Sequence, residues 1–426
     1  MTLALIMTCA AAWAQPKMQT FTKDIIGYEN YGGGWYLIAS PIGAVNLEQV
    51  EDMFSNDYDL YRFNQAANNE WENYKALDQN DQPLHPDFTT MKIGHGYLYA
   101  NSENVTLTFI GSPYSDEGKV TLTKIEGASF EGWNLVGNPF GETAYIIDAR
   151  AFYVMNADRS EIEVADRSDI APMEGIFVYA EYDDDEVEFT TQEPGKGRGP
   201  KPEIEQVVLN LSRERGNVID RAIVRFNESR QLPKFQIREN STKLYLPQDG
   251  KDYAIATSNG QGEMPVNFRA KENGNYTITV NTDHVEMSYL HLIDNMTGND
   301  VDLLATKVPE PVEGPTLNNV STSSTTSYTF TAKTTDYESR FKLVFVANGE
   351  GGPSTGSGTF AFMSDGNWII ANEGEAILQV IDINGRILSS ESINGSVSKS
   401  IEAVPGVYVL RLVNGSDVKT QKIVVR

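Results

Sequence analysis

Cysteine is nearly absent from this chain: Cys9 is the only one in 426 residues. A lone thiol forms no intramolecular disulfide, so stability has to come from packed cores, and cysteine metal sites are excluded. Histidine is scarce as well. His85, His95, His284 and His291 show no zinc spacing, and no HExxH occurs. Each reads as a surface or packing residue. Basic residues are few, 34 against 59 acidic ones, for a net charge of −25. Such a surface disfavours nucleic acid, because phosphate recognition needs Lys/Arg patches. Long apolar runs are missing too. Leu3 to Ala14 is too short to cross a bilayer, so no transmembrane segment is expected in the mature chain. No glycine loop opens a helix to cradle phosphate. Gly352-Pro353-Ser354-Thr355-Gly356 matches the nucleophile pattern G-x-S-x-G but lies in a linker, not on a strand-to-helix elbow.

What is present is strand chemistry throughout. The length prior suggests about three domains, and the aliphatic and aromatic content is ample for cores. Leu3 to Ala14 (LALIMTCAAAWA) reads as a signal peptide covering residues 1–14, with Ala12-Trp13-Ala14 as a small-x-small cleavage site. No Lys or Arg precedes the run, which suggests a start inside a longer leader. Ile6-Met7-Thr8-Cys9 is a poor lipobox, so lipid anchoring is not expected.

Residues 15–194 read as a duplicated β module. Gly34-Trp35-Tyr36-Leu37-Ile38-Ala39-Ser40-Pro41 matches Gly132-Trp133-Asn134-Leu135-Val136-Gly137-Asn138-Pro139, at an offset of 98 residues. Three further blocks follow in the same order: Leu60–Asn64 with Phe152–Asn156, Gly96–Ala100 with Gly175–Ala180, and Val105–Ile110 with Val187–Thr191. Repeat 1 spans about 27–112 and repeat 2 about 120–193. The glycine before each aromatic strand marks a bulge or a close backbone approach. Asn46 to Phe54 (NLEQVEDMF) is expected to be a short helix capped by Asn46, with Leu47, Val50, Met53 and Phe54 on one face.

Trp35 and Trp133 sit at strand starts and read as core more readily than as sugar-stacking platforms. Trp71 and Tyr74 differ, because they lie in a polar insertion that only the first copy carries. An exposed Trp/Tyr pair among Asn and Glu fits a glycan- or protein-contacting loop, and a cross-strand aromatic pair fits the same residues. Asp183, Asp184 and Asp185 form a carboxylate loop that offers oxygen ligands for weak Ca²⁺ binding. It lacks the Asp-x-Asp-x-Asn-Gly spacing, and a solvated acidic hairpin is the favoured reading. No other cofactor is expected.

Residues 195–202 are a Gly/Pro/Lys-rich linker. Residues 203–347 read as a jelly-roll or immunoglobulin-like sandwich. Its strands are expected at Val207–Leu211, Arg221–Phe226, Tyr253–Thr257, Val266–Ala270, Tyr276–Val280, Tyr289–Ile293, Tyr328–Ala332 and Phe341–Val346. Asn273-Gly274 is expected to join two of them as a hairpin. Residues 348–359 are a second, low-complexity linker.

Residues 360–426 end in two hairpin signals, Asn384-Gly385 and Asn414-Gly415. Tyr408, Leu410 and Leu412 share one face of a strand, with Val407, Val409, Arg411 and Val413 on the other. Asp382, Gly385 and Arg386, then Pro405-Gly406-Val407-Tyr408, then a closing strand with Lys419 and Lys422, resemble the type A sorting domain of type IX secretion cargo. The resemblance covers about the last sixth of the chain. It implies an immunoglobulin-like β-sandwich read by an outer-membrane translocon, with a sortase-like processing protease as a second partner. It also implies an extracellular or outer-membrane-surface location in a Gram-negative bacterium. DRAIVRF, MPVNFRA, YLHLIDNMTG and SRFKLVF resemble a domain found ahead of such tails, which carries no transferable activity.

The expected fold class is therefore all-β, with tandem β-sandwich domains. The expected function is non-enzymatic and adhesin-like, with a glycan or host protein as ligand. Two alternatives stand beside it: an exported carbohydrate-active enzyme or accessory module, since two carboxylates suffice for glycoside hydrolysis, and a structural surface spacer.

Overall fold

The computed structural model describes residues 17–29, 34–193, 204–213, 216–226, 230–235, 241–304, 325–348, 360–372, 374–401, 404–415 and 417–425. Residues 1–14, expected to be a signal peptide, the linker expected at 195–202, and all but Asn348 of the one expected at 348–359 lie outside the described residues. The chain is all-β and built of several sheets, and its only helical element among the described residues is a single 3₁₀ turn, Leu47–Gln49.

That turn corrects the helix expected over Asn46–Phe54. Asn46 does cap it, accepting from the Glu48 backbone N–H, but Val50 has already returned to extended backbone. The apolar spacing was genuine, since Leu47, Val50 and Met53 are all buried. They are buried by a tight loop, because Glu51 pairs its backbone with Thr108 and stops helix propagation.

Residues 1–200 form one compact unit, and its two copies repeat strand for strand. In the first copy a sheet runs in the order Tyr36–Ala39, Gly96–Asn101, Tyr58–Phe63, Trp71–Asn73. In the second, the order is Trp133–Gly137, Gly175–Tyr179, Tyr153–Met155, Ile162–Val164. The remaining strands correspond as well. Gln19–Ile25 pairs Val105–Gly111 as Gly118–Thr121 pairs Glu186–Thr190. Val45–Asn46 pairs Thr90–Met91 as Ala144–Ile146 pairs Asp169–Ile170. Repeat 1 thus begins at the strand Gln19–Ile25 and repeat 2 at Gly118–Thr121, slightly earlier than the motif blocks suggested. Each copy holds its own core, one around Ile38, Met53, Tyr99 and Phe109, the other around Leu122, Ile146, Ile176 and Val187.

The copies meet across a pseudo-two-fold contact whose parts are reciprocal. Ile38 bridges Glu174, and the equivalent Val136 bridges His95. Ala39 N–H donates to Met173 O, and the equivalent Gly137 N–H donates to Gly94 O. A Cβ on Gly137 would lie 2.3 Å from the Ala39 Cβ, and one on Gly96 would lie 2.7 Å from Val136 O. Of the two expectations for the glycines before the aromatic strands, a bulge or a close approach, the second holds: a Cβ on Gly34 would lie 2.6 Å from Arg159 O and one on Gly132 2.9 Å from Ala180 O.

Residues 201–426 form the second compact unit. Its larger part is a long hydrogen-bonded path of strands folded over one core that includes Val207, Phe226, Val266, Phe268, Tyr276 and Phe345. The strand Gln261–Arg269 hands over between the two faces. Its first part pairs Phe341–Asn348, and Asn267–Arg269 pairs Lys243–Tyr245. All eight expected strands are present, with bounds shifted outward by a few residues in most. Among the described residues three more were not anticipated, Leu232–Pro233, Lys243–Gln248 and Asn299–Asp302. The second contains Pro247, which is tolerated because that stretch pairs on one side only, with Lys251–Ser258.

Asn273-Gly274 turns the chain, but the flanking strands are not a hairpin. Gly274–Asp283 pairs Gln206–Arg213 and Thr325–Ala332, not Gln261–Arg269. Phe268 and Tyr276, one from each side of the turn, meet edge-to-face at 5.1 Å inside the core. The turn thus carries the chain across the sandwich, and core burial of both rings overrides local pairing. Arg340 and Asp294 form a fully buried ion pair at 2.9 Å, with Arg340 also over the Phe330 ring.

The C-terminal part of this unit is a small sandwich. One sheet holds Ala361–Ser364, Asn367–Ile370 and Val397–Lys399. The other runs Ile387–Asn394, Glu375–Asp382, Gly406–Asn414, Asp417–Val425. Both expected hairpins form. Tyr408, Leu410 and Leu412 are buried while Val407, Val409, Arg411 and Val413 are half-exposed, as period-2 alternation requires. Ile369 and Ala371 pack on Tyr289, Val344 and Val346 of the larger sandwich, and Lys342 reaches Asp365 at 2.6 Å.

Candidate functional site

The residues singled out near the C-terminus converge in part. The Asp382 carboxylate accepts from the backbone N–H groups of Asn384 and Arg386, and Gly385 sits at φ 82°. Those bonds, the one from Arg386 foremost, hold the Asp382 carboxyl below its ordinary range. Asp382 is the register partner of Tyr408, and Gly406 is the partner of Val425. The Asp382 turn, the Pro405-Gly406 turn and the end of the last strand therefore meet at one end of one sheet. Tyr408 Oη donates to Val404 O at 2.8 Å and braces the second turn. Lys419 and Lys422 do not join them as a patch. Three residues apart on one strand, they point to opposite faces, Lys419 half-buried and Lys422 exposed. Gln421 between them went unnoticed in the sequence. Its side chain clasps the backbone of Phe360 and Ala361 through three bonds of 2.6–2.8 Å.

The Trp71/Tyr74 pair is not the exposed pair its polar neighbours suggested. Both are half-buried. Trp71 packs edge-on against Phe63 at 5.5 Å and against Phe177 of the other copy at 6.0 Å. Tyr74 stacks on Phe54 at 5.0 Å. Aromatic burial outweighs a loop of Asn and Glu, whose polar groups are met nearby: Glu72 accepts from Asn64 and pairs with Arg62, which also pairs with Asp87. Beside them Gln65 is buried and reaches into the second copy. It donates to Thr123 O and Trp133 O and accepts from the N–H groups of Ile125 and Gly132.

The acidic loop is likewise committed internally. Asp185 is buried, and its carboxylate takes Arg150 at 3.1 Å plus the N–H groups of Glu181 and Glu186. Burial pushes that carboxyl up, but Arg150 and the backbone donors outweigh it and leave it below its ordinary range. Asp183 accepts from the Lys124 N–H. Asp183 and Asp185 thus face different partners, and the Asp185 carboxylate is taken by an arginine. Among the described residues no group of three or more His, Cys, Asp or Glu is arranged to hold a metal.

One feature had no sequence signal. In the first copy a cleft of about 630 Å³ opens between the 52–56 loop and the ribbon of Gln19–Ile25 and Val105–Gly111. Asp24, Asp52, Ser55, Asn56, Asn104 and Thr106 supply its polar wall. The loop is held from beneath: Tyr99 Oη donates to Met53 O, and buried Asn101 donates to Ser55 O. Asp52 and Asn56 adopt left-handed backbone, at φ 62° and 56°. Only the long-range pairing of Glu51 with Thr108 brings the loop over the ribbon, so a reading by local motif passes over it.

No protein-family model matches the chain, and comparison with curated proteins gives no match. Among the described residues no helix is long and apolar enough to cross a membrane.

Proposed function

We propose that the chain is a secreted or cell-surface protein exported by type IX secretion, non-enzymatic, and adhesin-like in binding glycan or protein. The support for export is the arrangement of Asp382, Gly385 and Arg386 beside Pro405, Gly406 and Tyr408 at one end of the terminal sheet, on residues that resemble the sorting domain. On this reading the sorting end is a recognition surface, and the sandwiches ahead of it are cargo. An acidic surface of net charge −25 suits solubility outside the cell.

The test is to express the chain with and without residues 360–426 in a bacterium that carries type IX secretion, and to assay surface exposure by protease shaving of whole cells. The full chain is expected outside and the truncated chain retained. Equal surface exposure of both would overturn the export reading.

A further inference from the structure

We propose that the cleft of the first copy is a binding site for a neutral saccharide; this deepens the adhesin-like reading above and rests on it. The argument begins with the duplication. In both copies a loop leads from the short paired strand toward the ribbon and faces the start of the returning strand. In the second copy the residue there is Asp185, and the loop places Arg150 against it at 3.1 Å, with Asp148 at 2.8 Å on the other side of the guanidinium. The position is closed by a buried ion pair. In the first copy the strand registers put Val105 in that position, where no ion pair can form, the loop is longer, and no Arg or Lys lies among the lining residues. What is a plugged seam in one copy is an open polar cleft in the other.

The chemistry of the wall selects the ligand. Asp24 accepts from Thr106 Oγ1 at 2.8 Å and Asp52 from Ser55 Oγ at 2.9 Å, so each carboxylate is oriented by a hydroxyl through one oxygen. Carboxylates are strong acceptors for sugar hydroxyls, and Asn56 brings an amide that both donates and accepts. Ile26 and Val105, both half-buried, supply apolar wall for the C–H face of a ring. The volume falls within the range of small-molecule sites, and the loop is fixed beforehand by Tyr99 and Asn101, which lowers the ordering cost of binding. Two carboxylates with no nearby cation in the wall repel sialylated, sulfated and phosphorylated ligands. A Ca²⁺ ion takes about six to eight oxygens and favours gathered carboxylates. Here there are two, without a third acidic or imidazole group gathered to them among the described residues.

The test uses the full chain on an array of immobilised neutral oligosaccharides beside sialylated and sulfated ones, with Ca²⁺ titration calorimetry in parallel. Asp24→Ala, Asp52→Asn and Asn56→Gly are compared with the native chain. Asn and Gly both accept left-handed backbone, so the last two variants keep the loop, and thermal melts verify folding. Capture of neutral glycans is expected, weakened about ten-fold or more in Asp24→Ala and Asp52→Asn, the loss of one charge-assisted hydrogen bond. Undiminished capture by folded variants would overturn the cleft as the site while leaving the adhesin-like reading intact. Capture of acidic glycans alone would overturn the neutral ligand class and leave the adhesin-like reading with an acidic glycan, while capture of none would overturn it and leave only a protein ligand for that reading. Ca²⁺ binding that the variants abolish, without saccharide capture, would overturn it in favour of a cation.

Discussion

Between Tyr58–Phe63 and Gly96–Asn101 the first copy of the N-terminal unit carries residues 64–95, whereas the second joins Tyr153–Met155 to Gly175–Tyr179 through residues 156–174. Between the strands ahead of these, the first copy carries residues 47–57 and the second only 147–152. The strands otherwise correspond one to one, except that in the second copy Ala144–Ile146 also pairs Glu186–Thr190 and joins the short pair and the ribbon into one sheet. The extra length does two things. It brings Asp87 onto Arg62, and it leaves a cleft where the shorter copy has an ion pair. Duplication thus preserved what the cores and the reciprocal contact require, and the divergence lies in loops, where backbone is free to vary.

The strongest way to break this comparison is at the pseudo-two-fold contact. Gly137→Ala would set a Cβ 2.3 Å from that of Ala39, with backbone on both sides and no side-chain end to yield. A loss of about 3 kcal/mol is expected by denaturant unfolding of the full chain. The exchange Ala39→Gly with Gly137→Ala moves the methyl from one copy to the other and should recover most of that loss. If the double variant is no more stable than Gly137→Ala, the two positions are not equivalent.

Gln65→Ala comes next. It strands the N–H groups of Ile125 and Gly132 and should cost about 2–3 kcal/mol in a thermal or urea melt. An unchanged melt would mean that Gln65 does not tie the copies together. Trp71→Ala removes a half-buried ring that bridges Phe63 and Phe177, and about 2 kcal/mol is expected. Because the ring serves packing, saccharide capture by the cleft should be unaltered in this variant, and a selective loss of capture without loss of stability would restore Trp71 as a contact residue.

The smallest effect is the pH dependence that separates the copies. Asp185 is held below its ordinary range by Arg150. Its contribution to stability is therefore complete above the unfolded pKa of about 3.9 and lost as pH falls through the lower folded value. In Arg150→Met the burial effect is left unopposed by the guanidinium, which pushes the carboxyl upward. The variant's deficit relative to the native chain should then narrow as pH drops below about 4. Circular dichroism melts between neutral and acid pH would show it, and a deficit independent of pH would argue that the ion pair contributes packing alone.

Much of this fold was legible in the residues. The repeated Gly-Trp blocks announced the duplication, and the alternation in Tyr408, Leu410 and Leu412 assigned a buried face correctly. The misreadings share a cause. NLEQVEDMF has a helical spacing of apolar residues, but a loop buries the same set once Glu51 is paired to a distant strand. Asn273-Gly274 is a sound turn, yet which strands then pair is decided by Phe268 and Tyr276 meeting in the core. Trp71 among Asn and Glu looked exposed because its partner Phe177 lies in the other copy.

Local chemistry in the sequence alone determined strand periodicity, turn positions, the scarcity of thiols and the acidic surface, since each depends on near neighbours or on composition. Which strands pair, which aromatic rings are covered and whether a seam is plugged or open depend on groups far apart in the chain. Those were decided only when Arg150 found Asp185 in one copy and the longer loop of the other left Asp24, Asp52 and Asn104 around open space.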